Sequence, residues 1–409
     1  MRCRFCGNEI TKTVVDLVNA PPSNAYLREN QLNEREVYYP LKIMVCDHCW
    51  LVQVDEYASS ADIFDDDYLY FSSYSSSWVE HARKYVEMII PKLALTRKSR
   101  VMEIASNDGY LLQFFVQAKI PCVGVEPSTS THAAALEKGV ESIPSFFGEE
   151  FAKKIVKTRG KQDLIIGNNV LAHVPGINDF VEGLKIALAD NGTITMEFPH
   201  LLNLLTYDQF DTIYHEHYSY LSLYTVQQIF AAHDLTIYDV EELPTHGGSL
   251  RVYACHNSDV KDITDTVKKV VDDEITYGLT TYDAYISFQK RVEIIRSAFL
   301  TFLLEAKNER KIVAGYGAAA KGNTLLNYCG IKGNQNIVAV ADASPHKQGR
   351  YLPGSHIPVI SPQQIKEIKP DYLIIFPWNL KEEIIRQNAY IREWGGKFVT
   401  VIPHLEIIE

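Results

Sequence analysis

The sequence predicts an α/β protein in three parts: a cysteine-bearing amino-terminal module, then two domains of alternating strands and helices. Three observations lead there. Two C-x-x-C pairs, Cys3 with Cys6 and Cys46 with Cys49, bracket a first segment short on helix signals. From about residue 76 to 255, short apolar runs alternate with amphipathic stretches, and beyond about residue 308 the same alternation begins again. A chain of 409 residues also exceeds what one hydrophobic core usually serves. The expected division is therefore residues 1–75, 76–255 and 256–409.

Each C-x-x-C can form a tight knuckle whose two thiolates face one ion, and two knuckles complete a tetrahedral site. Cys3, Cys6, Cys46 and Cys49 are thus expected to bind zinc. Four thiolates leave no open position, so this metal is expected to hold the fold rather than do chemistry. Cys122, Cys255 and Cys329 are scattered among apolar residues. Seven cysteines, an odd number, argue against a disulfide framework and for a reducing compartment.

In the middle part "SWVEHARKYVEMIIPKLAL" has helical spacing. "SRVMEI", "CVGVE", "DLIIGNN" and "NGTITMEF" read as short buried strands, with helical stretches such as "GINDFVEGLKIAL" between them. That order implies a mostly parallel sheet covered on both faces. "GGSLRVYAC" alternates and suits an antiparallel edge strand. Next, "YDAYISFQKRVEIIRSAFLTFLLEAKNERK" puts Phe288, Val292, Ile295, Phe299, Phe302 and Leu303 on one stripe, as a helix packed between domains would. "KIVAGYGAAAKGNTLLNYCG", "NIVAVADAS", "DYLIIFPW" and "KFVTVIP" carry the second alternation to the end.

Composition narrows the partners. With 46% apolar and 22% charged residues the chain is an ordinary globular one, and a net charge of -11 without a basic block would repel a phosphate backbone. Nucleic acid is not an expected partner. No apolar run approaches the ~18–20 residues of a membrane span, and "MRCRFCGNEI" lacks the apolar core of a secretion signal. The expectation is a cytoplasmic protein with no membrane partner, acting as a monomer.

The strand "VMEI" runs into Glu103-Ile-Ala105-Ser-Asn107-Asp-Gly109, where the chain must turn into a helix, and Asn107 and Gly109 tolerate the positive φ such a turn needs. The next strand ends in Glu126, an acidic group suited to two ribose hydroxyls, and a later strand end offers Asn168, Asn169 and His173. This set resembles the S-adenosylmethionine (SAM) methyltransferase class, with Ala105 and Asn107 where glycines are usual. Across the whole chain, "CRFCG…VCDHCWLVQ", "YLYFSSYSSS", "EIASNDGYLL", "NNVLAHVP", "EFPHLLNLL", "YHEHYSYLS", "THGGSLRVY" and "AGYGAAAKGNTLLNY" resemble the sugar C-methyltransferase family. Those enzymes have a zinc module, a central SAM domain and a carboxy-terminal α/β domain. They methylate C-3′ of nucleotide-linked 4-keto-6-deoxy sugars, so the resemblance implies a dTDP- or GDP-linked sugar as substrate.

"TIYHEHYSYLS", residues 212–222, admits three readings: an H-x-H metal site, a hydrogen-bonded aromatic loop, or a catalytic centre. As a regular strand it would place Tyr214, Glu216 and Tyr218 on one face and the two histidines on the other. Methylating the carbon beside a ketone requires a base at its C–H and a donor at the enolate oxygen. By resemblance His217 is the base, Glu216 its carboxylate partner, Tyr214 a donor and His173 the group at the 4-keto oxygen, while Tyr68 and Tyr70 close the site from the module's side. A loop at the carboxyl ends of the strands would suit these roles.

A competing reading comes from "KIVAGYGAAAKG". Gly315-x-Gly317-x-x-Ala320 follows a strand, precedes a helix, and is followed by Asp342 at the next strand's end, as in an NAD-dependent nucleotide-sugar oxidoreductase. A zinc-bearing module without catalysis is a third. In a methyltransferase the same loop, through Gly317 and Lys321, would instead hold the substrate's diphosphate.

Overall fold

A computed structural model describes residues 1–57, 71–259, 261–333 and 336–409, which form three sheets. Tyr68 and Tyr70 lie outside the described residues.

The first sheet joins β1 (Lys12–Ala20), β2 (Tyr39–Val45), β3 (Val52–Val54) and β9 (Ser219–Tyr220), all antiparallel. β9 comes from far along the chain. Pairing of Val52 with Tyr220 and Gln53 with Ser219 ties the end of the "YHEHYSY" stretch into the amino-terminal module's own sheet. Residues 213–218 before it are loop and turn, so His215 and His217 do not share a strand face.

The second sheet has the order β10–β11–β8–β7–β4–β5–β6. Strands β4 (Val101–Ile104), β5 (Cys122–Val125), β6 (Ser142–Ile143), β7 (Gln162–Asn168) and β8 (Leu188–Pro199) run parallel. Strands β10 (Leu235–Leu243) and β11 (Ser249–His256) form an antiparallel hairpin on β8. "GGSLRVYAC" is therefore not the edge. β11 lies between β8 and β10, buried from Ser249 to Cys255, and β10 is the outer strand. The hairpin folds back so that its second strand inserts, which alternation within one segment cannot reveal. Strand period 2 splits the core between two faces: Met102, Ile104 and Ile165 pack on one side, Val101, Leu164 and Ile166 on the other.

The third sheet has the order β14–β13–β12–β15–β16–β17. β12 (Val313–Tyr316), β13 (Val340–Ala341), β14 (Val359–Ile360), β15 (Tyr372–Ile375) and β16 (Lys397–Thr400) are parallel, and β17 (Glu406–Ile408) is antiparallel to β16. The helix Phe288–Asn308 buries the stripe read from its spacing, and it packs those side chains into one apolar cluster with Val15 of β1 and Ile374 of β15. Gln289 on it accepts the Asp16 N–H at 2.8 Å. Among the described residues no helix is long and apolar enough to cross a membrane.

Candidate active site

The loop after β4 turns by placing three residues in the left-handed region: Ala105 (φ 55°), Asn107 (φ 50°) and Gly109 (φ 74°). The reversal fixes Glu103 beneath it, fully buried beside Tyr110, with burial holding its carboxyl well above the ordinary range. Glu126, at the end of β5, reaches back to the loop and accepts the Asn107 N–H at 2.8 Å and the Ser128 N–H at 2.9 Å. Burial raises its pKa against those two donors. Asn107 Oδ1 accepts the Ser72 N–H at 2.9 Å. Asn168 at the end of β7 donates to the Tyr110 hydroxyl at 3.4 Å. Its left-handed neighbour Asn169 (φ 55°) donates to His246 Nε2 at 3.0 Å. All seven residues therefore sit along the carboxyl edge of the parallel strands.

His217 stands beyond this edge. Its Nδ1 donates to the Thr212 carbonyl at 2.9 Å, which fixes the tautomer: a carbonyl only accepts, so Nε2 carries the lone pair and faces the Tyr214 hydroxyl at 2.9 Å. Burial, then His173, hold its pKa well below the ordinary histidine value. His173 meets it edge to face, ring centroids 4.6 Å apart, and sits against the Glu216 backbone carbonyl with its pKa lowered by burial to about 4. At neutral pH both rings are neutral. A cavity of about 20 Å³, room for about one water, lies behind His217 among Ala172, His200, Ser219 and Tyr220.

Glu216 faces elsewhere. Both of its oxygens accept from the Asn24 amide, at 2.7 and 2.8 Å, and burial raises its pKa to about 7 against Asn24 and Lys347. The structure thus separates Glu216 from the His217 imidazole, because the turn at residues 215–216 points the two side chains apart. His215 donates to the Pro40 carbonyl at 3.1 Å and lies against Tyr39, so the two histidines of H-x-H do not converge on one point.

The carboxy-terminal domain reaches the same place. Lys321 donates to Asn379 Oδ1 at 2.8 Å and lies 4.4 Å from the Trp378 ring centroid, with its pKa lowered by burial to about 8. Trp378 Nε1 donates to Asp211 Oδ2 at 2.8 Å, and burial raises that carboxyl to about 6. Gly317 does not offer an open cradle: a Cβ there would overlap the Pro377 ring. Sequence reasoning passed over His246, Asp211, Trp378 and Asn24. His246 had a visible signal, since a histidine before two glycines marks a tight, strained turn, and it is left-handed (φ 54°, ψ 20°). The other three became relevant only through domain contacts.

The four cysteines converge on one another. Their sulfurs all lie within 4.8 Å, with Cys3 to Cys49 at 3.5 Å and Cys6 to Cys46 at 3.6 Å. Four sulfurs about 2.3 Å from a common zinc would be spaced about 3.8 Å apart, so the donor set fits. Each knuckle closes by a backbone bond, Gly7 N–H to Cys3 O and Trp50 N–H to Cys46 O, both 2.9 Å, with Gly7 (φ 74°) and Trp50 (φ 63°) left-handed. Among the described residues this is the one group of His, Cys, Asp or Glu side chains able to hold a metal ion.

Three family models match the chain. They are a domain described as zinc binding over residues 3–64, a methyltransferase domain over 78–240, and a C-methyltransferase C-terminal domain over 244–403. The C-methyltransferase NovU of Streptomyces niveus is 34% identical over 406 residues, covering 99% of this chain and 96% of that one. The chain belongs to the C-methyltransferase family. Similar solved structures include a SAM-dependent methyltransferase from Anabaena variabilis, 15% identical over 42% of this chain and 83% of that one at a TM-score of 0.35. Magnesium protoporphyrin IX methyltransferase from Synechocystis PCC 6803, with bound SAM, is 14% identical over 44% and 81% at 0.33. As a C-methyltransferase the protein uses SAM, and the Glu126 carboxylate fits it: of about four lone-pair positions, two are engaged by backbone amides and others remain for ribose hydroxyls.

Proposed function

We propose that this C-methyltransferase methylates C-3′ of a nucleotide-linked 4-keto-6-deoxy sugar through an enolate, with His217 as the base. The nucleotide is dTDP or GDP, the enzyme acts in the cytoplasm as a monomer, and residues 1–75, 76–255 and 256–409 are its working parts. The observation that carries the reading is the fixed tautomer of His217. A neutral imidazole with its proton held on Thr212 O presents its lone pair at Nε2, where the sugar's C-3′ hydrogen would displace the Tyr214 phenol. When bound, SAM supplies an electrophilic methyl on a sulfonium. The chain's part is to hold its ribose at Glu126 and its remainder along Glu103, Ala105, Asn107, Gly109, Asn168 and Asn169.

His217 Nε2 takes the proton, the C–H electron pair becomes the enolate, and that carbon takes the methyl as the carbonyl re-forms. Imidazolium is then stabilised at Nδ1 by the Thr212 carbonyl. His173, neutral and with its one N–H taken by the Glu216 carbonyl, packs against the His217 ring at 4.6 Å between centroids rather than donating at the keto oxygen, and Tyr214 is placed to donate to the sugar. Glu216, buried on Asn24, serves by holding the loop's shape.

The test incubates the zinc-loaded enzyme with SAM and freshly made nucleotide 4-keto-6-deoxy sugars, read by mass for one added methylene. His217→Asn should lower turnover by about 10²–10⁴ while both ligands still bind. It should also stop exchange of the C-3′ hydrogen with deuterated water when S-adenosylhomocysteine is bound. Wild-type exchange in the mutant would remove His217 as the base.

A further inference from the structure

Two groups near His217 are left idle by the preceding reading. One is His246. Its ring lies edge-on to Trp78, with centroids 5.1 Å apart, and its Nε2 accepts from the Asn169 amide at 3.0 Å. The ring proton is therefore on Nδ1, and Nδ1 makes no hydrogen bond among the described residues. The other is Lys321, whose ammonium has three N–H donors and, among the described residues, one hydrogen-bond acceptor, Asn379 Oδ1.

Trp378 brings these two groups together. Its indole face carries the Lys321 ammonium at 4.4 Å, and its ring edge lies so close to Gly247, the residue after His246, that a Cβ there would overlap it. Trp378 Nε1 also holds Asp211, the neighbour of the Thr212 whose carbonyl fixes His217, so the indole links both groups to the segment that carries that imidazole. Both residues are part-buried rather than closed off from solvent. The left-handed backbone at His246 has a structural cost, which neighbours offset: Thr245 Oγ1 donates to Glu197 Oε1 at 2.9 Å, and Glu197 is held by Arg251 and His81, each at 2.9 Å.

We propose that Lys321 and His246 are catalytic residues that together bind the enolate oxygen, Lys321 through its ammonium and His246 through Nδ1–H. The inference rests on the enolate reading above. It assigns Lys321 to the reacting oxygen rather than to the diphosphate. Charge favours that choice. Asp211 borders the ammonium through Trp378 and would repel a diphosphate, whereas a single oxyanion is matched by one cation and one neutral donor. The reaction balances as before: the proton leaves C-3′ to His217, and the electron pair rests on the oxygen held by Lys321 until it returns through C-3′ to the methyl carbon.

Three kinds of group face Lys321: the acid Asp211, the histidines His217 and His246, and the neutral Trp378 and Asn379. The ammonium is charged below its pKa and neutral above it. Turnover should therefore fall as pH rises through about 8.

The experiment measures C-3′ hydrogen exchange in deuterated water on the zinc-loaded enzyme with S-adenosylhomocysteine bound, together with affinities for the sugar nucleotide and for the nucleoside diphosphate alone. Lys321→Met should slow exchange and turnover by about 10²–10³, change the sugar-nucleotide Kd less than about threefold, and abolish the alkaline fall, while Lys321→Arg restores part of the rate. Should Lys321→Met fail to fold, His246→Asn carries the test. Asparagine suits a left-handed backbone, and exchange should slow at least ~10-fold at unchanged Kd. Loss of nucleoside-diphosphate affinity with exchange intact would assign Lys321 to the diphosphate and overturn the inference, as would wild-type exchange in either variant. Wild-type enzyme that does not exchange C-3′ at all would instead overturn the enolate reading.

Discussion

The protein contains two strand–turn–helix loops that look alike in sequence and differ in what packs against them. The first runs from Glu103 to Gly109 with Glu126 ending the next strand, and the second from Gly315 to Lys321 with Asp342 ending the next strand. In the first, the acid faces its loop: Glu126 holds the Asn107 N–H, and the turn stays available along the sheet's carboxyl edge. In the second, the chain's own side chains occupy the close approach that glycines allow. Cβ atoms at Gly315 and Gly322 would meet Phe376, and one at Gly317 would meet Pro377. Asp342 accepts the Ser344 N–H at 2.8 Å and lies 3.7 Å from Lys347. The following helix, Ala320–Tyr328, is bound on its flank, with Thr324 Oγ1 donating to Ile213 O at 2.8 Å and Asn323 Nδ2 to Ser23 O at 2.6 Å. A glycine fingerprint therefore marks close backbone approach, and what approaches must be read from the structure: at the second loop it is protein, whereas the first is the loop proposed above to hold SAM.

This contrast can be tested at three strengths. The largest effect is expected at Gly317→Ala. A left-handed φ of 87° and overlap with Pro377 should together lower stability by about 2–4 kcal/mol in chemical denaturation. SAM affinity in the folded fraction should not change, and a stable variant with weakened nucleotide binding would show that the second loop holds a ligand after all. A smaller effect separates the two acids. Glu126→Ala should weaken SAM binding by about 1.5–3 kcal/mol, the value of hydrogen bonds to a charged acceptor, while Asp342→Ala leaves it unchanged by calorimetry. Equal losses in both would erase the distinction. The smallest is Thr324→Val, which removes one buried bond to the segment that holds His217. About 1 kcal/mol of stability should be lost, with a modest drop in turnover and no change in SAM affinity.

How far the site was legible follows from the range of each interaction. Cys3, Cys6, Cys46 and Cys49 were legible because two residues of the same type at fixed short spacing make each half of the cluster. The SAM-domain strands and the helix Phe288–Asn308 were legible because period 2 and period 3.6 are local properties. His217 and Tyr214 were picked out by residue type and by family resemblance. The orientation of Glu216 was not, because it depends on Asn24, 192 positions away in sequence. Nor could the place of β11 inside the sheet be read, since its alternation suits an edge equally well.

The sequence by itself determined the three-part α/β organisation, the two cysteine knuckles, the turn after β4 and a share of the polar residues at the centre, among them His217, Tyr214 and His173. Spacing and residue chemistry act over a few positions, enough for each knuckle, turn and element, while the meeting of the two knuckles spans about 40 residues. Only the tertiary structure decided which groups meet. β9 pairs with β3 and carries the His217 loop onto the zinc module, Trp378 docks on Asp211 and brings Lys321 with it, and Pro377 closes over Gly317. Each is a contact between segments more than 50 residues apart, set by how separate apolar faces pack. No local pattern encodes that choice.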